Sequence, residues 1–237
     1  MSTSPSSARV GSDKFFLISS LILLAGVLIG FAPTFYLREQ FEGAPLPWWL
    51  IVHGSVLTAW YVLLPLQASL IVSGRRGWHK RLGWFTAVVA LLVVVTAPMV
   101  VWQSVPRGLA AGLSEMEVGF LVLVNLQRIP FFAAVVSLAL WHRRSPQTHK
   151  RLMLLASLSN FAAASSRVGH LVGVHPLVSA VVYTVAFGLA MTLYDRRSLG
   201  RVHPVTKWGM LALVLILTIA IALMFGGVSG PLIKAMR

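Results

Sequence analysis

The 237-residue chain contains no cysteine. That excludes disulfides, iron–sulfur clusters and thiolate metal sites. Acidic residues are nearly as scarce, six Asp and Glu against twenty Lys and Arg. None of the six lies at depth inside an apolar run, so the carboxylate that usually carries a proton or sodium ion across a membrane is missing. Charged residues make up 11% of the chain, where a soluble domain carries about a quarter. An H-E-x-x-H zinc-protease motif and a Gly-x-Ser-x-Gly elbow are both absent. The last apolar run holds no lysine that could bind retinal.

What the chain has in abundance is apolar sequence, 57% hydrophobic residues with a mean hydropathy of +0.81. Runs of about twenty apolar residues recur, each long enough to cross about 30 Å of hydrocarbon. The pattern predicts an all-α polytopic membrane helix bundle. Residues 1–13 are small and polar and are expected to form a disordered tail. Residues 14–237 form one domain of seven transmembrane helices, at about 14–36, 48–72, 82–102, 117–141, 152–172, 176–194 and 205–227. The first run is too long for a signal-peptide core and lacks a clear cleavage site, so it counts as a helix.

The basic residues alternate between the two ends of these spans. One set of segments holds Arg9, Lys14, Arg75, Arg76, Lys80, Arg81, Arg143, Arg144, Lys150, Arg151, Arg196, Arg197, Arg201 and Lys207. The opposite set holds Arg38, Arg107, Lys234 and Arg237. The positive-inside rule then places the N-terminus in the cytoplasm and the C-terminus in the periplasm of a bacterial inner (plasma) membrane. The net charge of +14 is a topology signal and a means of contacting anionic lipid headgroups. It is not read as a nucleic-acid surface, because the charges sit in loops of about ten residues with no room for a domain.

Two arginines stand apart. Arg128 and Arg167 lie inside apolar runs with no acid at comparable depth, and a cation there needs an anion, a carbonyl or water. Pro130, two residues after Arg128, frees the Leu126 carbonyl beside it. His53, Trp60 and Gln67 are seven apart and share one helix face. Asn125 lies one turn from Arg128, and His170 lies beyond Arg167 on the next helix. His53, Asn125, Arg128, Arg167 and His170 are therefore expected to face one another in the outer half of the bundle. Structural alternatives exist for most of these residues, for His53 a neutral ring bonded to a carbonyl. Arg167 and His170 can reach interfacial water, Arg128 can bond to carbonyls, Gln67 can tie helices together, and Trp60 can be core. His79, His142, His149 and His203 form an inner-side set at helix–loop junctions, read as interfacial, with haem or metal ligation the alternative.

Two loops end alike, as His79-Lys80-Arg81-Leu82-Gly83-Trp84 and His149-Lys150-Arg151-Leu152-Met153. Preceded by His53, Trp60, Gln67 and Gly74-Arg75 and followed by Arg167, these strings resemble a bacterial family of predicted membrane proteins of unknown function. The resemblance covers roughly residues 45–172 and implies a helical inner-membrane protein without a settled activity. More distantly, histidines on several helices look like cytochrome-b-type haem proteins. The chain departs from that pattern in placing its inner histidines at loop junctions rather than within the bilayer.

These residues point to a polar, outward-opening pocket that binds haem b or a quinone-like redox cofactor. His53 and His170 would be the axial ligands of a haem iron, with Arg128 and Arg167 neutralising its propionates. Asn125, Trp60 and Gln67 complete the candidate lining. The alternative functions are transport of an anionic or lipidic substrate through the same arginines, and assembly of a respiratory membrane complex.

Overall fold

The computed structural model describes residues 5–41 and 45–236, and all of its regular structure is helical. In chain order the helices are α1 (Pro5–Phe31), α2 (Arg38–Phe41), α3 (Trp48–Val72), α4 (Arg76–Ala110), α5 (Glu115–Trp141), α6 (Pro146–Leu171), α7 (Pro176–Leu199), α8 (Pro204–Phe225) and α9 (Ser229–Met236). A π-helical stretch, Ala32–Tyr36, extends α1. It follows from Pro33, which has no N–H to continue the α ladder, and it closes with the Leu37 N–H on the Ala32 carbonyl at 2.7 Å. Helix α1 begins at Pro5, so residues 5–13, expected in a disordered tail, are helical. Proline suits the first helical position and no second proline follows until Pro33. The rest of that expected tail, residues 1–4, lies outside the described residues.

Among the described residues, six helical segments are long and apolar enough to cross a membrane: Lys14–Tyr36, Trp48–Val72, Arg76–Ala110, Glu115–Trp141, Pro176–Leu199 and Pro204–Phe225. Helix α6, counted as a span from its sequence, is not among them. Its position explains why. It packs against α1, α5, α7 and α8, and thirteen of its 26 residues are buried, including Ser157, Ser159 and Ser165. A helix surrounded by other helices need not be apolar, because few of its side chains meet lipid. The outer helices show the converse. Only Met191 and Asp195 are buried on α7, and only Thr206 and Ala220 on α8.

Small residues allow the close packing. A Cβ on Gly30 of α1 would stand 2.6 Å from the Ala164 carbonyl oxygen of α6, and one on Gly26 would meet the Phe161 ring at 2.4 Å. The tryptophans divide by position. Trp48, Trp78, Trp84, Trp102, Trp141 and Trp208 each expose more than half their surface, as anchors at helix ends do. Trp60 is 1% exposed.

Helix starts follow local chemistry. Ser114 and Glu117 make a full capping box on α5. Two Val-His-Pro strings open α7 and α8, where His175 and His203 accept the backbone N–H of Leu177 and Val205 through Nδ1.

Candidate functional site

A polar layer crosses the middle of the bundle. Trp60 is the central residue of α3, Arg128 the central residue of α5, and Leu158, with Ser157 before it, lies at the centre of α6. Side-chain bonds join this layer across helices. Trp60 Nε1 donates to Ser157 Oγ at 3.1 Å. Tyr61 donates to the Ser157 carbonyl and Tyr183, from α7, to the Leu158 carbonyl, each at 2.8 Å. Phe132 packs edge-on against Trp60 with ring centres 5.1 Å apart, and Phe161 packs edge-on against Tyr183 at 4.8 Å.

Arg128 stands within electrostatic reach of Tyr61 and Tyr183. Thirteen residues of helix, about 20 Å, separate it from either end of α5. Both phenol protons are already used on α6 carbonyls, so the two phenol oxygens near Arg128 are neutral acceptors. Among the described residues no hydrogen bond or ion pair holds it. The side chain is half-buried, enclosed but not sealed.

The other expected site residues are distributed more widely. Arg167 lies four residues from the C-terminal end of α6, about 15 Å from the Ser157 level at 1.5 Å per residue. Its guanidinium lies over the Phe31 ring at 4.3 Å and donates to the Ala163 carbonyl at 3.1 Å. The two arginines therefore occupy different levels. Asn125 is half-buried and turns back on its own helix, donating to the Leu121 carbonyl at 2.8 Å.

His53 contacts Thr96 of α4, Nδ1 to Oγ1 at 2.8 Å. Thr96 spends its proton on the Leu92 carbonyl at 2.7 Å, so its oxygen accepts and His53 Nδ1 must carry the hydrogen. His170 is exposed at the C-terminal end of α6. Gln67 belongs to the C-terminal part of α3, where it donates to Thr86 of α4 at 2.9 Å. The surface hollow at the start of α4, lined by Gly77, Trp78 and Arg81, involves none of these residues.

Two polar clusters lie apart from these residues, the first of them not anticipated from the sequence. Arg151, read as a loop cation, is fully buried. Its Nε and Nη2 donate to Asp195 Oδ1 at 2.8 and 2.5 Å, and its Nη1 donates to the Gln147 backbone and side-chain oxygens at 2.7 and 2.8 Å. Asp195 Oδ2 accepts the His203 backbone N–H at 2.9 Å. The start of α6, the end of α7 and the start of α8 are thus tied by one ion pair, roofed by Phe16 and Tyr194. No sequence signal distinguishes Arg151 from Lys150 beside it. The second cluster joins the two His-Lys-Arg-Leu strings. The rings of His79 and His149 lie 6.4 Å apart at 85°.

His203 lies outside the membrane-spanning segments, and its pKa is held below the usual histidine value. Burial is the main cause, followed by the Arg151 charge; Asp195 pulls the other way and Arg201 adds to the lowering. The protonated ring would also lose the Nδ1 lone pair that caps α8.

Compared with known proteins, the chain matches no family model, no curated protein and no solved structure. The functional reading therefore rests on its own residues.

Proposed function

We propose that this is a multi-pass protein of the bacterial inner membrane that holds a quinone-like molecule, a carbonyl-bearing ring with an apolar tail, at Arg128 in the middle of the bilayer. The observation that carries this reading is the uncompensated guanidinium at the centre of α5, facing Tyr61 and Tyr183. A cation at that depth is costly unless something polar meets it. Arginine offers five N–H donors and no acceptor, which suits a carbonyl oxygen. The two phenol oxygens, their protons engaged elsewhere, suit the hydroxyl of the reduced ring. The apolar tail would lie among aliphatic side chains.

A haem on His53 and His170 is the less favoured cofactor. It needs two rings face to face, whereas His53 turns to α4 and His170 is exposed on α6, a helix that does not pack directly on α3 beyond the Trp60 and Tyr61 contacts. In the proposed topology α6 is a seventh crossing enclosed by α1, α5, α7 and α8, the N-terminus is cytoplasmic and the C-terminus periplasmic. The alternation of basic loops supports this arrangement.

The test is extraction of the purified wild-type protein and an Arg128→Leu variant, with bound quinones quantified by mass spectrometry. The reading expects a near-stoichiometric quinone in the wild type and loss in Arg128→Leu. Equal, trace amounts in both would overturn it.

A further inference from the structure

A second polar centre lies at the inner end, away from Arg128, where the two His-Lys-Arg-Leu strings meet. His79 opens α4, His149 opens α6, and their rings lie 6.4 Å apart. His149 Nδ1 sits 2.8 Å from the Ala139 carbonyl oxygen. A carbonyl only accepts, so this nitrogen carries the hydrogen and Nε2 keeps its lone pair. A backbone carbonyl that fixes the tautomer in this way is the usual support of a metal-ligating histidine. His79 Nδ1 is buried without a partner, and so is Gln67 Oε1. Gln67 is 8% exposed; its amide nitrogen is committed to Thr86, and its backbone bonds to His79. The inner ends of α3, α4 and α6 thus bring together lone pairs, two of them on buried atoms with nothing to accept.

We propose that His79, His149 and Gln67 bind a borderline divalent transition-metal ion such as copper or zinc. Neutral imidazole is the ligand type these ions take without thiolates, which this chain lacks. Imidazole nitrogens about 2.0–2.1 Å from one ion place the two ring centres about 5–6.5 Å apart, depending on the bond angle. The observed 6.4 Å lies at the wide end of that range, where the two nitrogens stand nearly opposite each other across the ion, as tetragonal copper allows. Among the described residues no three His, Cys, Asp or Glu side chains gather, so the site offers two imidazoles and one amide oxygen, with remaining positions open. An open, cysteine-free site of this kind holds an exchangeable ion rather than a structural one.

The experiment uses the full chain, purified without a polyhistidine tag and stripped with chelator, then titrated with Cu²⁺ and followed by electron paramagnetic resonance. One Cu²⁺ per chain with superhyperfine coupling to two imidazole nitrogens is expected. His79→Gln should weaken binding by at least about tenfold, and His170→Gln should leave it unchanged. His79 Nδ1 holds nothing in the fold, and a glutamine amide can keep the ring's bond to the Gln67 backbone, so His79→Gln should keep the metal-free melting temperature, which is measured in parallel. Zn²⁺ should raise the melting temperature of the wild type and not of His79→Gln. Equal copper affinity in the wild type and His79→Gln, or loss in His170→Gln instead, would overturn the proposal.

Discussion

At the residue scale, the decisive quantity is the cost of a polar group without a partner. Arg151 and Asp195 are both buried and each satisfies the other. Removing one leaves a charge in the protein interior, which costs about 3–5 kcal/mol, whereas removing both is far milder. Arg151→Met and Asp195→Leu should each lower thermal stability in detergent strongly, and the double variant should recover most of the loss. Two single variants that melt with the wild type would contradict the buried pair. His203 gives a pH prediction. Its pKa in the folded protein lies below the unfolded value near 6.5, so its contribution is complete above that value and fades as pH falls toward the folded pKa. The melting temperature should therefore drop between pH 7 and 5. His203→Asn, which keeps a good cap without titrating, should flatten that drop. Arg128 was legible in the sequence because a cation in an apolar run is conspicuous. The Arg151–Asp195 pair was not, because both residues look like ordinary loop charges until helices 44 residues apart are brought together.

At the scale of elements, apolar length predicted most of the helices, and glycine predicted part of their packing. Gly26 and Gly30, four residues apart in the sequence, make a small-residue face on the first helix. In the structure that face meets Phe161 and Ala164 of α6. Gly30→Val should force α1 away from the Ala164 carbonyl and cost about 1–3 kcal/mol, measured as a fall in the melting temperature. An unchanged temperature would mean that the two backbones are not in close contact. Helix α6 shows what sequence alone does not deliver. Its serines and its arginines read as polarity, but the reason it tolerates them is that four helices cover it. The seven-residue spacing of His53, Trp60 and Gln67 did place them on one face of α3. It could not say that this face lies along a groove, so that His53 and Gln67 reach α4 while Trp60 reaches α5 and α6.

For the whole molecule, topology and ligand are linked, since the depth of Arg128 matters only if α5 spans the bilayer. The absence of cysteine makes topology simple to read, because any introduced thiol is the sole one. Ala111→Cys, in the α4–α5 connection, should react with a membrane-impermeant maleimide in intact spheroplasts. Ser145→Cys, in the α5–α6 connection, should react only after permeabilisation. The reverse pattern would invert the proposed orientation, and labelling of both would remove α5 from the membrane. The central claim, that a quinone-like ring is met by the guanidinium at the middle of α5, is tested most directly by photoaffinity labelling with an azido-quinone followed by peptide mapping. The account predicts a cross-link on the segments carrying Tyr61, Arg128 or Tyr183, competed by unlabelled quinone and lost in Arg128→Leu. Labelling confined to the lipid-facing surfaces of α7 and α8, uncompeted and unchanged in the variant, would contradict it.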